Sequence, residues 1–308
     1  MTTRGTILIT DCDHPSIEIE REILTAAGWS VRLGACRTEQ DVIEAGPGAT
    51  GLIVQYAPIS GAVLRALPEV RVVGRYGVGL DTIDTVTAAK LGVRVVNVPD
   101  YCTDEVADHA LALILALTRG IVPLDRGVQR GVWDFRLAGR VRRASSQRLG
   151  IIGLGRIGSA LARRAFALGF EVVGTDPRGA GETAVALVDL DTLLRTSDVV
   201  SIHAPLDPTT RHLMDAAALK QMRPTAVLVN TSRGGLVDQA ALVEALRAGQ
   251  IAGAAMDVLE REPVDPDDPL IGMANVVLTP HAAFYSEESL AEMKRKVSER
   301  VLEVLIAS

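Results

Sequence analysis

Leu149-Gly-Ile-Ile-Gly153-Leu-Gly155-Arg-Ile-Gly158-Ser-Ala-Leu-Ala-Arg-Arg-Ala-Phe-Ala-Leu168 is the stretch whose reading decides the fold. A short apolar run, Leu149–Ile152, enters three glycines spaced G-x-G-x-x-G and then a helical pattern from Ile157 to Leu168. A second apolar run, Glu171–Thr175, ends in Asp176, 18 residues beyond Gly158. A glycine triplet alone is a weak signal. Between two strands, with a helix after it and an acid at the end of the second strand, it is the dinucleotide-binding fingerprint. Gly153 makes the tight turn, Gly155 lets backbone approach a pyrophosphate at the helix N-terminus, and Gly158 lets helix and strand pack closely. Asp176 can accept both ribose hydroxyls of NAD and would repel the 2′-phosphate of NADP, although Arg178 two residues on would soften that repulsion. NAD is the expected cofactor.

The same rhythm runs outward. Thr6–Thr10, Trp29–Leu33, Gly51–Gln55, Arg71–Gly74 and Val93–Asn97 read as strands on one side of the fingerprint. Val199–His203, Val227–Asn230, Ala254–Val258 and Val276–Thr279 read as strands on the other. Helical patterns occupy Pro15–Ala27, a short segment ending at Leu67, and Thr103–Arg119 with Thr103 as its cap. A last helix, Glu287–Ile306, puts Leu290, Met293, Val297, Val301 and Leu305 on one face. Strands spaced by helices imply parallel βαβ units. The expected class is α/β, with two doubly wound parallel-sheet units joined near residue 100.

Composition bounds the function. The chain has 308 residues, 48% hydrophobic and 23% charged, which is globular composition. A net charge of −6 argues against nucleic acid as the main partner. With 3% aromatic residues the core must be Ala, Val, Leu and Ile. Mean hydropathy is +0.23, yet the most apolar stretch is only Ala110–Leu117, and a spanning helix needs about 20 residues, so no membrane partner is expected. Cys12, Cys36 and Cys102 stand far apart, which excludes a disulfide scaffold and a thiolate zinc site. No metal and a cytoplasmic location are expected. The segment Arg119–Arg148 holds eight arginines against two acids, Asp125 and Asp134. It reads either as an anion- or partner-binding arm or as a solvated excursion. The helix before it is apolar all round and needs cover on every side.

Ligands collect at the carboxyl ends of strands in open α/β sheets. Thr231-Ser232-Arg233, Asp257 with Glu262, and Thr279-Pro280-His281 all follow apolar runs. Hydride exchange with a hydroxy acid needs a fork to grip a carboxylate and a group that moves a proton near neutral pH. Arginine and histidine meet those needs, and a carboxylate on the far ring nitrogen would orient the histidine. Arg233, His281 and Glu262 suit these roles. Each alone also has an ordinary reading: a surface ion pair, a packed Pro-His turn and a solvated loop acid. His203, in His203-Ala204-Pro205, suits a place beside an adenine. His14, His109 and His212 read as structural.

These segments together resemble the D-isomer-specific 2-hydroxyacid dehydrogenase family over essentially the whole chain. The carrying motifs are Gly77-Val-Gly79-Leu-Asp81-Thr-Ile-Asp84, Asn97-Val-Pro99, Leu149–Gly158, Val229-Asn-Thr-Ser-Arg-Gly-Gly-Leu-Val-Asp238, Ala255-Met-Asp257-Val258, Glu262-Pro263 and Thr279-Pro-His281-Ala-Ala. The resemblance implies a flavodoxin-like substrate domain over residues 1–100 and 285–308, with a Rossmann NAD domain inserted over 101–284. It implies a homodimer through Thr103–Arg148, whose Trp133 would reach the partner's site. It makes Arg233, Glu262 and His281 catalytic. It places Gly153, Gly155, Arg156, Ile157, Gly158, Asp176, His203, Ala204, Pro205, Thr231, Ser232, Arg233, Asp257 and His281 around NAD. It assigns the small 2-keto or D-2-hydroxy acid to Val78, Gly79, Arg233 and His281, and Tyr56 is expected to touch the substrate beside them. Gln55, Tyr76, Tyr101, Phe284 and Tyr285 are further candidate pocket walls. Within the family, Pro15-Ser-Ile-Glu-Ile-Glu-Arg-Glu22 and His281-Ala-Ala-Phe-Tyr-Ser286 resemble the C-terminal-binding-protein group. That likeness keeps open a second class, an NAD(H)-sensing, corepressor-like binding protein with little turnover.

Overall fold

A computed structural model describes residues 4–181 and 183–307; Met1 and Ser308, the outer ends of the expected domain spans, lie outside the described residues. The chain divides into two compact units. One is built from the residues up to Cys102 together with those from Ser286 on, and the other is Thr103–Tyr285. The joints fall after Cys102 and Tyr285 instead of after residues 100 and 284. Tyr101 and Cys102 are both buried, and the Tyr101 hydroxyl lies beside Gly77 of the first unit.

The first unit alternates β1 (Thr6–Ile9), α1 (Glu18–Ala26), β2 (Ser30–Leu33), α2 (Glu39–Ala45), β3 (Ala49–Val54), α3 (Gly61–Ala66), β4 (Val72–Arg75), α4 (Thr85–Lys90) and β5 (Arg94–Val96). The second runs α5 (Thr103–Thr118), α6 (Ile121–Gln129), β6 (Arg148–Ile152), α7 (Arg156–Ala167), β7 (Glu171–Thr175), β8 (Ala186–Leu187), α8 (Leu190–Thr196), β9 (Val199–Ile202), α9 (Ala216–Gln221), β10 (Val227–Asn230), α10 (Gln239–Arg247), β11 (Gly253–Met256) and β12 (Val276–Leu278). The last helix, α11 (Glu287–Ala307), returns to the first unit. Among the helices that hydrophobic periodicity does not announce, α2 and α4 have 7 and 6 residues, too few turns to show a period. Their caps do announce them: Thr38 and Asp41 form a reciprocal capping box, and Asp84 accepts from Thr87 N. Thr103 is the first helical residue of α5 and not its cap, while Asp104 and Glu105 stand in the first turn where the helix dipole favours them.

Both sheets are parallel. The first has strand order β2-β1-β3-β4-β5, the flavodoxin-like arrangement, and the second β12-β11-β10-β9-β6-β7-β8, the Rossmann arrangement. Alternation along the strands builds two cores in the second unit. Val199, Val227, Val229 and Ala255 face α5 and α7; Val200, Leu228, Ala254 and Met256 face α8, α9 and α10. Both faces being covered explains why these strands are continuous apolar runs. No single helix among the described residues is long and apolar enough to cross a membrane.

In the first unit, α11 rests on β4. Met293, Val297, Val301 and Leu305 are buried as the periodicity requires, whereas Leu290 is half-buried. Lys294 is also buried, 3.9 Å from Glu20 on α1, whose carboxylate accepts the Tyr76 hydroxyl at 2.6 Å. A Cβ at Gly74 would stand 2.6 Å from Val301 Cγ2 and 3.0 Å from Val297 Cγ2, so α11 can approach the sheet only because position 74 lacks one. Gly74→Ala should destabilise the fold by about 1–3 kcal/mol in urea titration, the usual range for overpacking. Val301→Ala in the same chain should recover part of that loss. Strict additivity of the two would mean that the helix does not bear on the strand there.

Candidate active site

The loops that leave the carboxyl ends of β6, β7, β9, β10, β11 and β12 carry the chemistry, and all belong to the second unit. The first loop is the glycine turn. Gly153 has φ +93°, and a Cβ there would strike the His203 carbonyl at 2.7 Å. A Cβ on Gly158 would overlap the Gly153 carbonyl, so α7 can start against the turn only with glycine at that place. Gly155 precedes α7 without a side-chain cap, which leaves the positive end of the helix open to an anion. Arg156 is exposed and Ile157 half-buried in the first turn of α7.

Asp176 stands at the end of β7. Its carboxylate accepts Leu154 N–H and Arg178 N–H, each at 2.8 Å, and the Arg178 guanidinium at 3.3 Å. Burial opposes its charge, but the Arg178 guanidinium and the two N–H groups outweigh that and hold its carboxyl below the ordinary aspartate range. The Arg178 side chain is itself exposed. His203, after β9, has Nε2 2.8 Å from Ser201 Oγ, and burial pushes its imidazole down to about 4. Its Nδ1 and the Thr231 hydroxyl are buried without a partner among the described residues. Two orphaned polar atoms on the same sheet edge as an uncapped helix start are what a dinucleotide's polar groups would satisfy, so the residues present fit NAD. Ala204 and Pro205 continue the His203 loop, where the Pro205 carbonyl accepts the Thr210 hydroxyl. Ser232 turns inward instead, its hydroxyl donating to the Ile202 carbonyl at 3.0 Å.

The turn after β10 presents Arg233. Asn230 shapes it by donating to the Arg233 carbonyl and accepting Ser232 N–H. A Cβ on Gly234 would overlap the Leu259 carbonyl, so the Arg233 turn and the loop after β11 touch backbone to backbone. That loop carries Glu262. Glu262 Oε2 lies 2.7 Å from His281 Nδ1, and Oε1 accepts Leu259 N–H at 3.0 Å. Burial pushes the Glu262 carboxyl up, but the His281 ring, Leu259 N–H and the charge of Arg233 overcome it and leave it below its ordinary range. The His281 ring also meets Phe284 edge to face, centroids 6.3 Å apart. The structure thus brings Arg233, Glu262 and His281, which are scattered over 49 positions in the sequence, to one edge of one sheet.

Asp257 is buried, and its carboxylate is occupied by Thr279, Ala282 and Ala283. The sequence offered no sign of this, nor of the contacts between His109 and Thr279 and between His212 and Glu260. In the first unit, Tyr56 projects an exposed ring while its N–H donates to Asp11 at 2.6 Å. The Val78 carbonyl accepts Asn97 Nδ2 at 2.6 Å, next to Gly77 with φ +113°. Tyr76 is a core residue, and Gln55 is buried with its amide on Asp13. Trp133 is 89% exposed and Phe135 84%, with Ile121, Val128, Val132 and Val141 also exposed on the same segment of the second unit. No group of metal-ligating side chains occurs among the described residues.

Residues 111–283 match the family model for the D-isomer specific 2-hydroxyacid dehydrogenase, NAD binding domain. The glyoxylate reductase of Korarchaeum cryptofilum is 43% identical over 259 residues, 80% of this chain and 76% of that protein. The D-3-phosphoglycerate dehydrogenase of Archaeoglobus fulgidus is 36% identical over 294 residues; these are 94% of this chain but only 56% of that protein. The D-lactate dehydrogenase of Aquifex aeolicus, solved with NAD and lactic acid, superposes with a TM-score of 0.87 at 27% identity, covering 98% of this chain and 95% of the other.

Asp176→Ala should weaken NADH binding roughly 10-fold, the worth of a hydrogen bond to a charged group, and should narrow the preference over NADPH. Fluorescence titration with both nucleotides measures this. An unchanged ratio would remove Asp176 from the choice of cofactor.

Proposed function

The chain belongs to the D-isomer specific 2-hydroxyacid dehydrogenase family and is an NAD-dependent oxidoreductase, and on that premise we propose that His281 is the acid and base of its reaction. Glu262 holds the ring, and Arg233 grips the substrate carboxylate. The observation that carries this reading is the 2.7 Å contact from Glu262 Oε2 to His281 Nδ1. An ionised carboxylate only accepts, so Nδ1 keeps its proton and Nε2 is the nitrogen that exchanges one with substrate. Bound NADH supplies the hydride, and NAD accepts it in the reverse direction. In reduction, the imidazolium gives its Nε2 proton to the 2-keto oxygen, and Glu262 stabilises the charged ring before that transfer. In oxidation, the neutral ring takes the proton from the hydroxyl. The planar Arg233 fork suits a carboxylate and can polarise the adjacent carbonyl.

The substrate is a small 2-keto acid, as the names of the Korarchaeum and Aquifex relatives suggest. The reducing cytoplasm suits a chain in which no disulfide joins Cys12, Cys36 and Cys102. We infer further that two copies associate through Thr103–Arg148. Leu111, Leu115 and Leu117 on α5 are only half-covered, and the following segment exposes large apolar side chains of a size monomers seldom leave in water.

NADH absorbance followed with glyoxylate, hydroxypyruvate, phenylpyruvate, 2-ketoisocaproate, oxaloacetate and 3-phosphohydroxypyruvate tests the reaction. Turnover on one of them should fall roughly 10²–10⁴-fold in His281→Ala, the worth of a general acid and base. Arg233→Ala should lose the same activity. Tight NADH binding with no turnover on any acid would move the protein to the NAD(H)-sensing class. Light scattering after size exclusion should report a dimer, and Trp133→Ser with Phe135→Ser should shift it to monomer. An unshifted dimer would place the interface elsewhere.

A further inference from the structure

His281 has φ +52°, a left-handed backbone that residues other than glycine rarely adopt. Such a conformation persists only where its surroundings hold it. The holder is Asp257, just after β11, which is 2% exposed. Its carbonyl accepts His281 N–H at 2.7 Å. Its Oδ1 accepts Ala282 N–H at 2.9 Å and the Thr279 hydroxyl at 2.6 Å, and Oδ2 accepts Ala283 N–H at 3.0 Å. One buried side chain therefore grips the chain on both sides of the histidine.

Thr279 has a single hydroxyl proton, and that proton goes to Asp257. Its oxygen is then an acceptor for its other neighbour, His109 Nε2, at 3.0 Å. His109 Nε2 also lies 3.6 Å from Asp257 Oδ1. The directions of the hydrogen bonds follow in order: Nε2–H of His109 to Thr279 Oγ1, the Thr279 proton to Asp257, and Asp257 to the backbone around His281. His109 comes from α5, whose other inward residues, Val106, Ala107, Ala110, Leu113 and Ile114, are all apolar. Packing α5 needs no ring donor at that position. The Thr279 oxygen does: its proton is spent on Asp257, so without the ring it is left an unmet acceptor, at a cost, and the Thr279 side chain loses the contact that fixes it from the α5 side.

We propose that His109 is a positioning residue for the reaction. It acts through Thr279 and Asp257 to hold the left-handed turn that presents His281. The inference rests on His281 being the acid and base, and the experiment separates the two. Wild type, His281→Ala, His109→Leu, His109→Gln, Thr279→Val and His109→Leu/Thr279→Val are compared for kcat and KM on the best 2-keto acid, NADH Kd and Tm.

His109→Leu should lower kcat about 10-fold, since small misplacements of a reacting group are costly. NADH Kd and Tm should stay near wild type. His109→Gln, whose amide can donate to the same oxygen, should recover most of the rate. Thr279→Val should lose at least as much as His109→Leu, and the double variant no more than Thr279→Val, because the two lie in series. A wild-type kcat in His109→Leu, a loss matched by a fall in Tm and not recovered in His109→Gln, or additive losses in the double variant would each overturn the proposal. If His281→Ala also keeps full activity, the acid–base reading itself fails; if only the His109 variants do, that reading stands and the positioning role falls.

Discussion

In the second unit every strand pairing is parallel, from β12 at one edge to β8 at the other. A parallel sheet sends all its strands out through the same edge. The loops that carry Gly153, Asp176, His203, Arg233, Asp257 and His281 therefore lie along one edge whatever their separation in the chain. The helices that make the crossovers also cover both faces, which keeps each strand apolar and leaves polar chemistry nowhere to go but the loops. The glycines at 158 and 234 then bring loop backbones into contact, where any side chain would force them apart.

This is why so much was legible in the sequence. A continuous apolar run followed at once by a reactive side chain marks both the strand and its end. Arg233 and His281 are expected on that signal, and the fingerprint around Gly153 needs only local order. What escaped was of two kinds. Short helices such as α2 and α4 bury few residues, so periodicity is silent and only their caps speak. The other kind is contact between distant positions. His109 and Thr279 are 170 residues apart and meet because α5 packs beneath the sheet. Nothing near either residue announces the other. Lys294 is similar. It lies on the buried side of an amphipathic helix where the pattern calls for an apolar residue, and its partner, Glu20, is on the first helix of the chain.

At the cofactor end an acid is fixed by the turn that it faces. Asp176 is held by Leu154 N–H, so the glycine turn and the acid are one structure, and moving either moves the other. Arg178 then stands exposed beside a carboxylate that is already paired with it. Its positive charge lessens, without removing, the repulsion a 2′-phosphate would meet. Asp176 and Arg178 thus set two unequal charges side by side at one place.

Two acids on the loops around β11 divide the work by how completely they are bonded. Asp257 is buried and both its oxygens accept from the chain around His281. Glu262 is half-exposed and has one N–H from Leu259 besides the ring of His281. A contact to an imidazole is one whose charge can change, whereas backbone N–H donors hold a carboxylate in one place. The first kind suits a group that follows the chemistry, and the second a group that keeps the geometry. The two residues are five positions apart in the sequence, and burial and hydrogen-bond partners distinguish them.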